Sequence, residues 1–144
     1  MNRPVIIVHS FEQTCDALIA ALEAETAIAL VSAPDAGLQS GPACFLSLIE
    51  QALDAVPGAR LLDVTATLDC GDKPGCVLEA LRHGATRICF TGAAATLAKL
   101  SEIAGVQNAV IVTKRPRGLD LLGVTEPRDR CRTWLAGECS DGSN

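Results

Sequence analysis

The chain is 144 residues long, 49% hydrophobic and 20% charged, which predicts one folded domain with its own core and excludes a disordered chain. Its net charge of −5 argues against nucleic acid as a partner, because phosphate backbones are bound by lysine and arginine. No apolar run approaches the roughly 20 residues that cross a bilayer, so we expect no membrane association and a cytoplasmic protein without a signal peptide.

Short aliphatic runs alternate with segments of helical period along most of the chain. Strands are expected at about 4–8, 27–31, 61–66 or on to 68, 87–90 and 109–113. Alternating strands and helices form βαβ units around a parallel sheet. We therefore predict an α/β fold, a three-layer αβα sandwich with a five-stranded parallel sheet. It would be flavodoxin-like or Rossmann-like, with strand order 2-1-3-4-5 guessed.

The expected domain covers residues 1–144, with a core at about 3–118 and a C-terminal extension at 119–144. Central parallel strands are covered on both faces, so residues 5–8, 29–31, 88–90 and 110–112 should be nearly buried. Helix starts are predicted at the N-caps Ser10 and Asp72, and near Pro42. Segment 119–123 would add a short apolar turn, and 129–135 a short helix that contains Trp134.

The chain has seven cysteines, a number that raises the possibility of disulfide bonds. Their number is odd, and Cys15, Cys76 and Cys89 lie in apolar, periodic surroundings. A buried free cysteine behaves as a small hydrophobic residue, and thiols stay reduced in the cytoplasm. We therefore expect no intrachain disulfide.

A run of small residues at the end of the fourth strand offers a ligand site. Thr91, Gly92 and Ala93 lead into a helix whose free N–H groups favour an anion. The run lacks the GxGxxG and GxxxxGK[ST] patterns, so no phosphate-loop family is indicated. A small anion would bind here, with Lys114 reaching across from the next strand end and the helix start at Ser10 as another position. The structural alternative is that Thr91 caps a helix and Gly92 eases a tight turn.

The densest chemistry lies at Asp69-Cys70-Gly71-Asp72-Lys73, after the third strand. An enzyme would use Cys70 or Asp69 with His9, because a thiol near a helix N-terminus has a lowered pKa. The alternative is a solvated turn. One histidine among scattered aspartates and cysteines is not a zinc pattern, so no metal site is predicted, and the cofactor is unknown.

Three strand ends resemble those of response-regulator receiver domains. Asp69, Thr91 and Lys114 with Pro116 stand where receivers carry Asp, Thr or Ser, and Lys-Pro. The resemblance implies a flavodoxin-like signalling or protein–protein interaction module. His9 and Ser10 stand where receivers carry acidic Mg²⁺ ligands, so this module would lack the acidic Mg²⁺ pocket.

Three functional hypotheses follow: a domain that binds a small anion without obvious catalytic machinery, a receiver-like interaction module, and an enzyme that uses His9. A homo-oligomer is expected, with Trp134 in the interface or folded back on the core. The C-terminal part is locally basic and either binds an anion or partner or pairs with its own acidic neighbours. Its basic residues are Lys114, Arg115, Arg117, Arg128, Arg130 and Arg132.

Overall fold

The computed structural model describes residues 3–34 and 36–137. Its strands are β1 (Val5–Ile7), β2 (Ile28–Val31), β3 (Val64–Asp69), β4 (Arg87–Cys89), β5 (Val110–Val112) and β6 (Leu119–Asp120). Its helices are α1 (Phe11–Ala24), α2 (Ala36–Gln39), α3 (Pro42–Ala55), α4 (Pro74–Arg82), α5 (Ala94–Val106) and α6 (Pro127–Leu135), with a 3₁₀ turn at Ala59–Leu61. The fold is α/β, with a parallel sheet flanked by helices, as predicted.

Two predicted features of the sheet are wrong. The sheet has six strands in the order β5-β4-β3-β2-β1-β6, not five in the order 2-1-3-4-5. β1 pairs with β2 on one side and with β6 on the other, with Ile6 opposite Leu119, so β1 has no free edge for β3. The missed strand falls in the segment predicted as an apolar turn, because two residues are too short to show a period of two.

The chain divides into two compact units. Unit 1 contains the residues up to Val31, Leu48–Thr65 and those from Pro116 onward, and unit 2 contains Ser32–Ser47 and Ala66–Arg115. Strand β3 and helix α3 each contribute to both units.

Unit 1 is built on β1, β2 and β6. Residues 6–8, 30 and 31 are buried as predicted, whereas Val5 and Ala29 are half-buried. Ser10 is the N-cap of α1, as predicted, and its hydroxyl accepts a hydrogen bond from the Gln13 N–H. Helix α6 packs against α1 and begins two residues before the predicted segment.

The packing of α6 on α1 buries Cys131 completely. Burial raises the pKa of the Cys131 thiol to about 12. Two ion pairs flank this contact, Arg128 with Asp16 and Arg132 with Glu23, so part of the basic C-terminal segment is paired with acidic neighbours. Trp134 lies on α6 and is half-buried.

Unit 2 is built on the end of β3 with β4 and β5. The largest fully buried side chains here are Leu68, Val77, Ile88 and Phe90. The predicted burial of 88–90 is confirmed, but that of 110–112 is wrong, since Val110 is 46% exposed and its two neighbours are half-buried. Among the described residues β5 pairs only with β4, so it is an edge strand with one uncovered side.

Three helices begin at a proline: α3 at Pro42, α4 at Pro74 and α6 at Pro127. Proline suits the first helical position because its missing N–H would have no partner there. The residue before a proline is pushed into extended backbone, which makes Lys73 (φ −103°, ψ 108°) the N-cap of α4 in place of the predicted Asp72.

Of the cysteines, Cys76 and Cys89 are buried as predicted, while Cys15 is only half-buried. Cys139 lies outside the described residues. None of the helices in the described part of the chain is both long and apolar enough to span a membrane.

Gly118 gives a direct test of the β1–β6 pairing. A Cβ at this position would lie 2.2 Å from the Val5 carbonyl oxygen, so a side chain would force the strands apart. We expect Gly118→Ala to lower the free energy of unfolding by about 1–3 kcal/mol, as overpacking usually does. Gly105→Ala is the matched control, since position 105 is exposed and has no neighbour within 4 Å. Gly105→Ala should keep or raise stability, because alanine is favoured over glycine within a helix, and a Gly118→Ala protein as stable as the wild type in denaturant unfolding would contradict this packing.

Candidate functional site

The carboxyl ends of β3, β4 and β5 bring the predicted ligand residues of unit 2 to one edge. The register places Asp69 beside Cys89 and Cys89 beside Val112. Two residues further on, the Thr91 N–H donates to the Gly71 carbonyl at 2.8 Å. By the same register Lys114 follows β5 at the level at which Thr91 follows β4. We call Asp69, Gly71, Thr91, Lys114 and Arg115 the unit 2 edge.

Asp69 is a buried carboxylate whose two oxygens both have partners. Oδ1 accepts the Gly71 N–H at 2.8 Å, and Oδ2 accepts Arg115 Nη1 at 2.7 Å. The second guanidinium nitrogen, Nη2, donates to the Ser32 carbonyl at 2.8 Å, and the Ser32 hydroxyl accepts the Asp69 N–H at 3.0 Å. The Asp69 side chain is 8% exposed and each of its oxygens already accepts a hydrogen bond, so it is poorly placed to act as a base or a nucleophile. Its evident role is to hold Arg115.

The N-terminus of α5 is exposed and carries no side-chain cap. Its N-cap is Ala93, not Thr91, and the first turn of the helix has no acidic residue. Thr91, Ala93 and Ala94 are exposed. In the part of the chain that the structure describes, neither the Thr91 hydroxyl nor the Lys114 ammonium has a hydrogen bond or ion pair. The free N–H groups of this helix start therefore face solvent beside an available hydroxyl group.

Gly92 is required by packing within the protein. A Cβ at this position would lie 2.4 Å from the Phe90 ring, which is itself buried. The predicted reason, close approach of a ligand to the backbone, is therefore not needed to explain the glycine. A bulkier residue at position 92 would clash with Phe90 and disturb the core, so its effect on binding could not be separated from its effect on packing.

The cysteines next to Asp69 are buried thiols with raised pKa values. Burial, together with the contact to Cys76, raises the pKa of Cys70 well above its usual range. Burial and the negative charge of Asp69 raise the pKa of Cys89 to about 11. Because the thiolate is the nucleophile, these shifts do not favour Cys70 as a catalytic residue near neutral pH.

His9 and Ser10 lie in unit 1, after β1. The His9 ring Nε2 is 2.6 Å from Asp120 Oδ1, and the Ser10 hydroxyl is occupied by the helix cap. In the predicted order 2-1-3-4-5, strand one would adjoin strand three and bring His9 near Asp69 and Cys70. The strand neighbour of β1 on that side is β6, so His9 instead meets the residue that ends β6.

Three residues of these sites were missed. Ser32 falls in a turn-rich loop, Arg115 was assigned only to a basic segment, and Asp120 to an apolar turn. The sequence carried no local signal for Arg115, because Asp69 was predicted to follow the third strand, with a solvated turn as one alternative, and a solvated carboxylate requires no cationic partner. No group of three or more metal-ligating side chains converges among the residues described by the structure.

No family model matches this chain, and a search of curated proteins finds none with a similar sequence. The functional argument therefore depends on the residues of the site.

The ion pair at the unit 2 edge predicts a large and specific stability loss. Arg115→Ala leaves the Asp69 carboxylate buried with only the Gly71 N–H. We expect a loss of about 2–3 kcal/mol in unfolding free energy, below the roughly 3–5 kcal/mol of fully buried pairs because Arg115 is 26% exposed. Exposed Arg117→Ala is the control and should change stability little. Adding Asp69→Asn to Arg115→Ala should recover part of the loss in a double-mutant cycle, and full additivity would show that the pair is not coupled.

Proposed function

We propose that this chain is a Rossmann-like α/β protein that binds a small anion at the unit 2 edge. The observation that carries the proposal is the exposed, uncapped N-terminus of α5 beside Lys114, which the strand register brings to the same edge. A helix N-terminus attracts anions through its unpaired N–H groups and its positive dipole end. Phosphate and carboxylate groups are the ligand classes that this chemistry selects.

Arg115 adds preorganised N–H donors to the same edge, although Asp69 offsets its charge. Asp69 and the Ser32 carbonyl each accept one of its N–H groups. A guanidinium has five N–H donors, so others remain for a ligand, and its orientation is already fixed. Binding would then cost little side-chain entropy, because the arginine does not need to be ordered by the ligand.

The site supports binding better than catalysis. Both Asp69 oxygens already accept a hydrogen bond, Cys70 is fully buried, and His9 is paired with Asp120 in unit 1. In a receiver domain the corresponding aspartate accepts a phosphoryl group. Asp69 could do so only if one of its carboxylate oxygens were accessible. These arrangements favour the anion-binding hypothesis over an enzyme and over a phospho-accepting receiver.

Titration with inorganic phosphate, followed by amide NMR, tests the proposal. We expect the amides of residues 92–96 to shift together. Lys114→Ala should weaken phosphate binding about 5–10-fold, since one exposed charge near a helix end contributes on the order of 1 kcal/mol. The control is Lys99→Ala, which removes an exposed lysine further along α5 and should leave the affinity unchanged.

Two outcomes would contradict the anion site. One is an absence of phosphate-dependent shifts in α5 at low ionic strength. The other is an equal effect of the Lys114 and Lys99 substitutions, which would mean general charge attraction and no site.

A specific observation also supports the predicted homo-oligomer. Edge strand β5 and helix α5 in unit 2 expose Val106 (84%), Val110 (46%) and Ile103 (43%). We propose that a second copy of the chain pairs with β5, because an uncovered apolar edge is a template for another strand. Antiparallel pairing about a two-fold axis at Ile111 brings no like charges together within residues 109–113.

Sedimentation equilibrium distinguishes this edge from other apolar positions. We expect the protein to be dimeric at micromolar concentration and Val110→Lys to be monomeric, since a lysine on an edge strand opposes pairing. Leu122→Lys is the matched control, because Leu122 is 69% exposed in unit 1 and should not affect the dimer. A monomeric wild-type protein, or a dimer that persists with Val110→Lys, would exclude this interface.

A further inference from the structure

Cys70 and Cys76 lie unusually close together in the interior of unit 2. Cys70 follows the last residue of β3, and Cys76 lies in the first turn of α4. Their Sγ atoms are 2.7 Å apart, and the two residues are 0% and 9% exposed. The pair shares no atom with the anion site described above.

We propose that Cys70 and Cys76 form an oxidisable dithiol, which a hydroperoxide converts into an intrachain disulfide. A disulfide needs its sulfur atoms about 2.05 Å apart, so closure requires a movement of only about 0.7 Å from the present separation. The expected absence of disulfides would then apply to the reduced protein alone.

The surrounding backbone holds the two thiols against each other. A Cβ at Gly37 would lie 2.5 Å from Cys76 Sγ and 3.3 Å from Cys70 Sγ, so α2 passes directly over the pair. The Cys70 N–H is bonded to the Cys89 carbonyl, which fixes the backbone from which its side chain projects. The thiols are therefore presented to each other by packing, and the entropy cost of bringing them together is small.

Cys76, which at 9% exposure is the less deeply buried of the two, is the site of first attack. Its sulfur attacks one peroxide oxygen, the O–O bond breaks, and a sulfenic acid forms while the second oxygen leaves as water after it takes up the thiol proton. The Cys70 sulfur then attacks the sulfenic sulfur, forms the S–S bond and expels a second water. Two thiols supply two electrons and two protons, and one hydrogen peroxide becomes two waters. The raised pKa of Cys70 makes the second step slow at neutral pH and faster as pH rises.

The bond would tie the end of β3 to the first turn of α4 and so close a ring around residues 71–75. The Gly71 carbonyl in this ring accepts the Thr91 N–H, so the disulfide would constrain the support of the α5 start. The dithiol itself does not require that any anion binds there.

The experiment treats the folded full-length Cys44→Ser protein with hydrogen peroxide, stops the reaction with catalase, and then denatures and alkylates it. The background removes an exposed thiol that would form intermolecular products. We expect two alkylatable thiols to be lost, and mass spectrometry to find the tryptic peptide 61–82 lighter by two hydrogens. Reduction should restore both thiols.

Adding Cys76→Ala should abolish the two-hydrogen loss while the far-ultraviolet circular dichroism spectrum is retained. Adding Cys15→Ala, which alters a half-buried cysteine of unit 1, should leave the loss unchanged. If the Cys76 variant fails to fold, fragmentation of the oxidised peptide 61–82 still locates the bond. Two outcomes overturn the proposal: both thiols remain alkylatable after peroxide treatment, or the cysteines are oxidised singly to sulfinic acids or linked to Cys89.

Discussion

A carboxylate buried at a strand end must be neutralised, and in unit 2 much of the arrangement depends on how Asp69 meets this requirement. The free energy of burying an isolated charge is prohibitive, so the chain must supply hydrogen bonds and a cation. Gly71 and Arg115 occupy the two carboxylate oxygens, and Ser32 bonds both the Asp69 backbone and the arginine. Asp69 thereby joins Ser32, 37 positions earlier, through its backbone N–H, and Arg115, 46 positions later, through its carboxylate.

The need to neutralise Asp69 also determines which chemical groups remain available at the unit 2 edge. Asp69 is bonded to Arg115 and to the Gly71 N–H. The groups that remain near the end of β5 and the start of α5 are therefore N–H donors and the Lys114 ammonium. This arrangement supports the proposed anion binding better than a role in proton transfer. Gly92 packs closely against the Phe90 ring, which fixes the backbone where it enters α5. Core packing therefore determines the positions of the N–H groups at the start of this helix.

Much of the site was accessible from the sequence, but its connections were not. Thr91 and Lys114 were predicted at one edge because each follows an aliphatic strand, and the register places them at equivalent levels. The role of Arg115 was not predictable in the same way, since nothing local distinguishes it from Lys114 or Arg117. The pairing of His9 with Asp120 was equally hidden, because β6 is too short to show a period and its position beside β1 is a long-range contact.

The sequence by itself determined the local elements. Aliphatic runs mark the strands, Ser10 caps α1, and prolines at 42, 74 and 127 begin three helices, because these signals act within a few residues of backbone. Only the tertiary structure decided the strand order, the exposure of β5 and the approach of Cys70 to Cys76. Each of these depends on which distant segments pack together, and that choice is made by the summed burial and hydrogen bonding of the whole chain. A parallel strand carries the same aliphatic pattern in the middle of a sheet and at its edge, so its sequence alone does not show which neighbour it has.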